Sequence, residues 1–146
     1  MRIIEACIYV SDVDCAEDFY SKLLGIKPYA KVEGRHVFFK LENSMLLIFN
    51  PEYTKKSVDV PPHGCFGQGH IAFAIREDEI EDLKERLREI GIEIEAEVNW
   101  KNGGGQYTLG TPLGTALNLP PRKPGGTIGK ILQVNILLDP RKLPKY

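Results

Sequence analysis

Long hydrophobic runs are missing from this 146-residue chain. That excludes a segment crossing a bilayer as a helix, which needs about 20 apolar residues. A charge excess of either sign is missing too, since 19 Lys and Arg stand against 20 Asp and Glu. No Lys/Arg stripe or cluster breaks that balance, so the electrostatic footprint of a nucleic-acid-binding protein is absent. Cysteine is scarce. Cys7, Cys15 and Cys65 form neither a CxxC pair nor a disulfide framework, so reduced thiols in a cytoplasm are expected. Met1-Arg2-Ile3-Ile4-Glu5 opens as a strand rather than as a signal peptide. What remains is ordinary globular composition, enough for one domain or for two half-size units sharing a core.

What the chain does contain is a repeat. Glu5-Ala6-Cys7-Ile8-Tyr9-Val10-Ser11-Asp12 returns as His70-Ile71-Ala72-Phe73-Ala74-Ile75-Arg76-Glu77. In both copies a residue able to bind a metal opens a strand, an acidic residue follows seven positions later, and an amphipathic helix then ends at Gly25 or Gly91. Alternation puts Glu5, Cys7 and Tyr9 on one face of the first strand and Ile4, Ala6, Ile8 and Val10 on the other. The helix from about Asp14 gathers Ala16, Phe19, Tyr20, Leu23 and Leu24 into one apolar stripe, with Gly25 as its left-handed cap. Strands are predicted over 27–32, 36–41 and 45–49, making β-α-β-β-β. The second unit repeats the order with a strand over 70–75, a helix from about Asp78, and strands near 92–98, 106–109 and 115–119. Each helix must cover one sheet face, and the all-apolar faces are the docking surfaces. Glu5 and His70 therefore point away from the helices.

Between the units lies Pro51 to Gly69, a long stretch rich in turn formers. Beyond Gly125-Gly126 the alternating segment Lys130 to Leu138 predicts one more strand, outside the repeat. An unpaired strand is a liability, so it is expected to close an exposed sheet edge, of its own subunit or of a partner's.

This pattern resembles the vicinal oxygen chelate superfamily, which includes glyoxalase I, extradiol dioxygenases and bleomycin-resistance proteins. The resemblance covers about residues 3 to 121. It rests on the paired units, on Tyr9-Val10-Ser11-Asp12…Phe19-Tyr20…Leu23-Leu24-Gly25, on Gly69-His70-Ile71-Ala72-Phe73 and on Thr111-Pro112-Leu113-Gly114. The last is similar to the family's DPxG turn, with Thr111 in place of Asp. The resemblance implies an α+β fold of two tandem β-α-β-β-β modules, 3–50 and 69–121, whose mixed sheets curl into a U around a cavity. Together they make a glyoxalase-like domain over 1–124, followed by an extension over 125–146 with the extra strand. It also implies metal ligands on the first and last strands of each module. Glu5 and His70 fall on the first-strand positions, the former usually His or Gln. Asn118 stands where the family has Glu. The fourth position falls on Leu47 or Phe49, neither able to bind a metal. The ligand set implied, Glu5, His70 and Asn118, is short of the three or four strong donors that a Mn, Fe, Ni or Zn site needs.

Each candidate residue has a functional reading and a plain one. An ionised Glu5 facing a partly enclosed cavity is costly unless it meets a metal, a protonated His70 or His63, an arginine such as Arg35, or water. His63, in Val60-Pro61-Pro62-His63-Gly64-Cys65-Phe66, could act as a general base at the cavity mouth or belong to a rigid connector. Cys65 has no base arranged beside it and is not expected to be a nucleophile. Asn102-Gly103-Gly104-Gly105 reads as a turn at the cavity rim, not a phosphate loop. Trp100 and Tyr107 beside it could stack on a planar substrate or simply pack.

Two functions follow from this set. One is a metal-dependent lyase, isomerase or dioxygenase acting on a small substrate with vicinal oxygens, with Glu5 or His63 moving the proton. The other is a metal-free protein that binds a drug or aromatic compound between Tyr9, Leu47, Phe49, Trp100 and Tyr107. A third reading, a structural dimer, rests only on the tail strand. A cytoplasmic homodimer with a small-molecule ligand is expected in either of the first two.

Overall fold

The computed structural model describes residues 2–99, 101, 104–109 and 130–138. The chain divides into two compact units, the first built from residues up to Gly67 and the second from Gln68 onward through most of the last strand.

In the first unit β1 (Glu5–Tyr9) leads into α1 (Val13–Leu24). Asp12 caps the helix, its side chain accepting from the Cys15 N–H at 2.8 Å, and Gly25 ends it in the left-handed region at φ 66°. The spacing of Val13, Ala16, Phe19, Tyr20 and Leu23 produces the buried stripe of α1. Strands β2 (Ala30–Val32), β3 (His36–Lys40) and β4 (Met45–Phe49) follow. The sheet order is β1-β4-β3-β2, with β1 and β4 parallel and the other pairs antiparallel. On the helix side Val10, Val37, Phe39, Leu46 and Ile48 are closed to solvent, and with Phe19, Tyr20 and Leu23 they form the core. Burying each such large side chain contributes roughly 1.5–3 kcal/mol.

Register decides what shares the other face. Three cross-strand rows stand there: Glu5, Met45 and Lys40; Cys7, Leu47, Phe38 and Ala30; Tyr9, Phe49, His36 and Val32. No helix among the described residues of this unit covers them, so the open face grades from a charged end to an aromatic end.

The stretch after Phe49 holds a short helix, α2 (Pro51–Thr54), capped by the Asn50 side chain. Sequence patterning reads only turns there, because one helical turn is too short to show a period. Gly64 lies against Pro51, where an added Cβ would stand 3.2 Å from the proline Cβ.

The second unit has β5 (Gly67–Ile75), a 3-10 turn over Glu77–Glu79, α3 (Ile80–Glu89), β6 (Ile94–Asn99) and β7 (Gly105–Leu109). Ile80, Leu83 and Leu87 are the buried stripe of α3. Its last strand, β8 (Lys130–Leu138), corrects an expectation. It does not close an edge but sits inside the sheet, in the order β5-β8-β7-β6, and runs parallel to β7. An interior slot pairs both edges of the strand, which an edge position cannot do. The strand predicted over 115–119 lies outside the described residues. No helix among the described residues is long and apolar enough to cross a membrane.

Candidate functional site

Tyr9, Phe49 and His63, three of the candidate site residues, gather at the aromatic end of the first unit's open face. Tyr9 Oη lies 2.9 Å from His63 Nδ1. The His63 ring packs at 5.8 Å from Tyr9 and stands edge-on to Phe49 at 4.8 Å. Tyr9 and Phe49, neighbours across β1 and β4, have ring centroids 6.3 Å apart. Phe49 is thus the floor of the cluster and only 7% exposed, while Tyr9, Leu47 and His63 remain half-buried. Burial pushes the Tyr9 phenol above its ordinary pKa, helped by the Cys7 and Cys65 thiols. The phenol is therefore protonated at neutral pH and can donate to the imidazole.

Two members of the cluster, His36 and Phe38, escape sequence reasoning. His36 stacks on Phe38 at 4.2 Å and 12° and meets Phe49 edge-on at 5.8 Å. Its Nδ1 is 3.0 Å from Arg35 Nη1. The signal was present in the alternation His36/Phe38/Lys40 against Val37/Phe39. It becomes readable only once the β3–β4 register sets His36 opposite Phe49. Burial first, and the Arg35 charge second, push the His36 pKa below its ordinary value.

Glu5 stands at the opposite end of the face, exposed, beside Met45. Its charge, after burial, holds the Cys7 thiol up. Among the described residues Glu5 makes no hydrogen bond or ion pair, and Arg35 turns to His36 instead of toward a carboxylate. In the second unit His70 lies exposed on β5. Tyr107 does not reach an open surface: it is 1% exposed, beneath α3, with Lys84 Nζ 5.8 Å from its ring centroid. The middle strand β7 is buried on both faces, so alternation alone could not tell which side a stacking residue would serve. Trp100 and Asn118 lie outside the described residues. A separate cavity of about 620 Å³ at the end of α3, walled by Leu87, Ile92 and Ile94, contains none of these residues.

The donor chemistry bears on the metal. On the first unit, the implied ligand positions on β1 and β4 hold Glu5 and Leu47 or Phe49, so one carboxylate stands with an apolar counterpart. Among the described residues no three His, Cys, Asp or Glu side chains group so that they could hold an ion. The described donors do not by themselves fit the chelate, and no chemical step is derived through it.

With this geometry in place, comparisons with known proteins become informative. The model of the Glyoxalase/Bleomycin resistance protein/Dioxygenase superfamily matches residues 2–119. A crystal structure of lactoylglutathione lyase from Agrobacterium tumefaciens is similar at 29% identity and a TM-score of 0.70, over 92% of each chain. A glyoxalase/bleomycin resistance protein/dioxygenase from Nocardioides is 18% identical, with a TM-score of 0.61 over 100% of this chain and 89% of that one. A bleomycin-binding protein complexed with bleomycin is 15% identical, with a TM-score of 0.50 over 93% and 98%. The last two likenesses show the fold alone.

Proposed function

We propose that this chain, which belongs to the Glyoxalase/Bleomycin resistance protein/Dioxygenase superfamily, binds a small organic molecule on the open face of its first sheet and moves a proton on it, as a lyase or isomerase does. The observation that carries this reading is the Tyr9–His63 hydrogen bond, set at the edge of an otherwise aromatic and apolar surface. A proton leaving the ligand passes to Tyr9 Oη as the phenolic hydrogen passes to His63 Nδ1, and the imidazolium formed returns it in the reverse sense. Phe49 and Leu47 supply the apolar floor that excludes water from the exchange. The similarity to a protein named lactoylglutathione lyase supports the same reaction class.

Dioxygenase chemistry would instead require a divalent Mn, Fe, Ni or Zn ion, which Glu5, His70 and Asn118 would have to hold. The apolar residues on β4 favour a second reading, a metal-free protein that holds its ligand without turnover. A cytoplasmic homodimer is proposed for either, and sedimentation tests the dimer.

One experiment separates the two readings. A panel of oxo-aldehydes, diols and aromatic compounds is screened for thermal stabilisation, and every binder is then assayed for turnover with wild type, Tyr9→Phe and His63→Gln. Turnover lost in both variants while binding persists supports the enzyme. Tight binding with no turnover by wild type establishes the sequestering protein. If no compound binds, or binding is indifferent to Tyr9 and His63, the site has been misplaced.

A further inference from the structure

We infer that His36 reads the ligand on this face: its Nε2–H donates to an anionic oxygen, and the molecule that fits is a small aryl carboxylate. The inference deepens the proposed binding at the first sheet and rests on that reading.

The tautomer follows from the neighbour. A guanidinium has only donors, so at 3.0 Å Arg35 Nη1 donates to His36 Nδ1, which must accept and carry no proton. The single ring proton is then on Nε2. Burial and the adjacent cation keep the ring neutral. Stacking on Phe38 and the edge contact with Phe49 clamp the ring, so it cannot turn to hide that proton.

His36 is only 7% exposed, yet its Nε2 has no partner among the described residues. The atom is not sealed from solvent, since Tyr20 Oη is the one closed-off side-chain polar atom without a partner among the described residues, so an acceptor arriving on the open face can reach it. The surroundings define the class of ligand. Tyr9, Phe49, Phe38 and Leu47 occupy the same row or the next, so the body of the molecule is apolar and flat. Arg35 behind the ring polarises Nε2–H and favours a charged acceptor over a neutral one. Among the described residues the one carboxylate on the face, Glu5, stands two rows away on β1, too far along the strand to contest the acceptor's place.

The test uses benzoate, benzamide and benzylamine as probes. Each is titrated into ¹⁵N-histidine-labelled wild type, His36→Gln and His36→Phe. Imidazole ¹⁵N–¹H spectra and the Tyr9 and Phe49 ring resonances are read together. The expected result is an Nε2–H tautomer for His36 and a benzoate-dependent shift of its Nε2, with benzamide weaker and benzylamine not bound. Affinity for benzoate falls roughly tenfold in His36→Phe and is largely kept in His36→Gln, whose side-chain amide retains an N–H. An Nδ1–H tautomer in wild type overturns the inference without any variant, as does a preference for benzylamine. Benzoate that perturbs Tyr9 and Phe49 equally in wild type and His36→Phe leaves the open face as the binding surface and removes His36 from its role. No perturbation of Tyr9, Phe49 or His36 by any probe removes both.

Discussion

Tyr9 on the first strand and His63 in the connector, 54 residues apart, meet through a 2.9 Å hydrogen bond between the phenol and the imidazole Nδ1. The bond fixes the path of the connector onto the open face. Tyr9→Phe and His63→Gln are therefore coupled. A double-mutant cycle on urea unfolding should show an interaction of about 1 kcal/mol. Additive effects would mean that the two side chains do not bond.

The same pair predicts a titration. Burial first, then the nearby thiols, hold the Tyr9 phenol above its ordinary pKa. Difference ultraviolet spectra of wild type and Tyr9→Phe should show this tyrosine ionising at higher pH than free tyrosine. Ionisation at or below the ordinary value would contradict the geometry.

His36 makes stability depend on pH in a definite direction. Its folded pKa is pushed below the ordinary value of 6.5, by burial and then by Arg35. Such a group contributes stability above the unfolded pKa and loses it as pH falls through the folded one. Urea midpoints measured from neutral pH downward should decline more steeply in wild type than in His36→Gln. Parallel curves would show that His36 titrates as it does in the unfolded chain.

Gly64 carries a steric prediction. A Cβ there would stand 3.2 Å from the Cβ of Pro51, and a proline ring at the start of α2 yields little. Gly64→Ala should cost about 1 kcal/mol and move the His63 imidazole resonances. An unchanged melting temperature together with unchanged resonances would show that the connector is not held there.

Tyr20 is fully buried, and its Oη is without a hydrogen-bond partner among the described residues. Burial drives its pKa far up, so it remains a phenol whose hydroxyl forgoes hydration for no bond. Tyr20→Phe should leave stability unchanged or raise it by about 1 kcal/mol. A loss of that size would reveal a hidden partner.

The last prediction concerns metal. With Glu5 the only carboxylate on β1 and β4 of the first unit, elemental mass spectrometry of untagged protein should find less than one ion per chain. Any ion held by the proposed ligands should be lost in both Glu5→Ala and His70→Ala. Stoichiometric metal retained in both variants would place the site elsewhere.

The sequence by itself determined what is local and periodic. Alternation along β1 divided Glu5, Cys7 and Tyr9 from Ala6, Ile8 and Val10, and the helix stripe then had one apolar face on which to dock. Asp12 and Gly25 bounded α1 through capping chemistry that acts within a few residues. The repeat placed Glu5 and His70 on the first strand of each unit. Tertiary structure decided everything that depends on pairing between distant segments. Residue-by-residue register between β3 and β4 brought His36 to Phe49, a relationship absent from either strand alone. The connector's path, not its composition, carried His63 to Tyr9. Backbone hydrogen bonding on both edges drew β8 into the interior of the second sheet, where its side-chain pattern suggested only a strand in need of a neighbour. Burial of both faces of β7 put Tyr107 beneath α3. Side-chain pattern encodes which face a residue takes; only closure of the long-range pairings decides which residues it meets there.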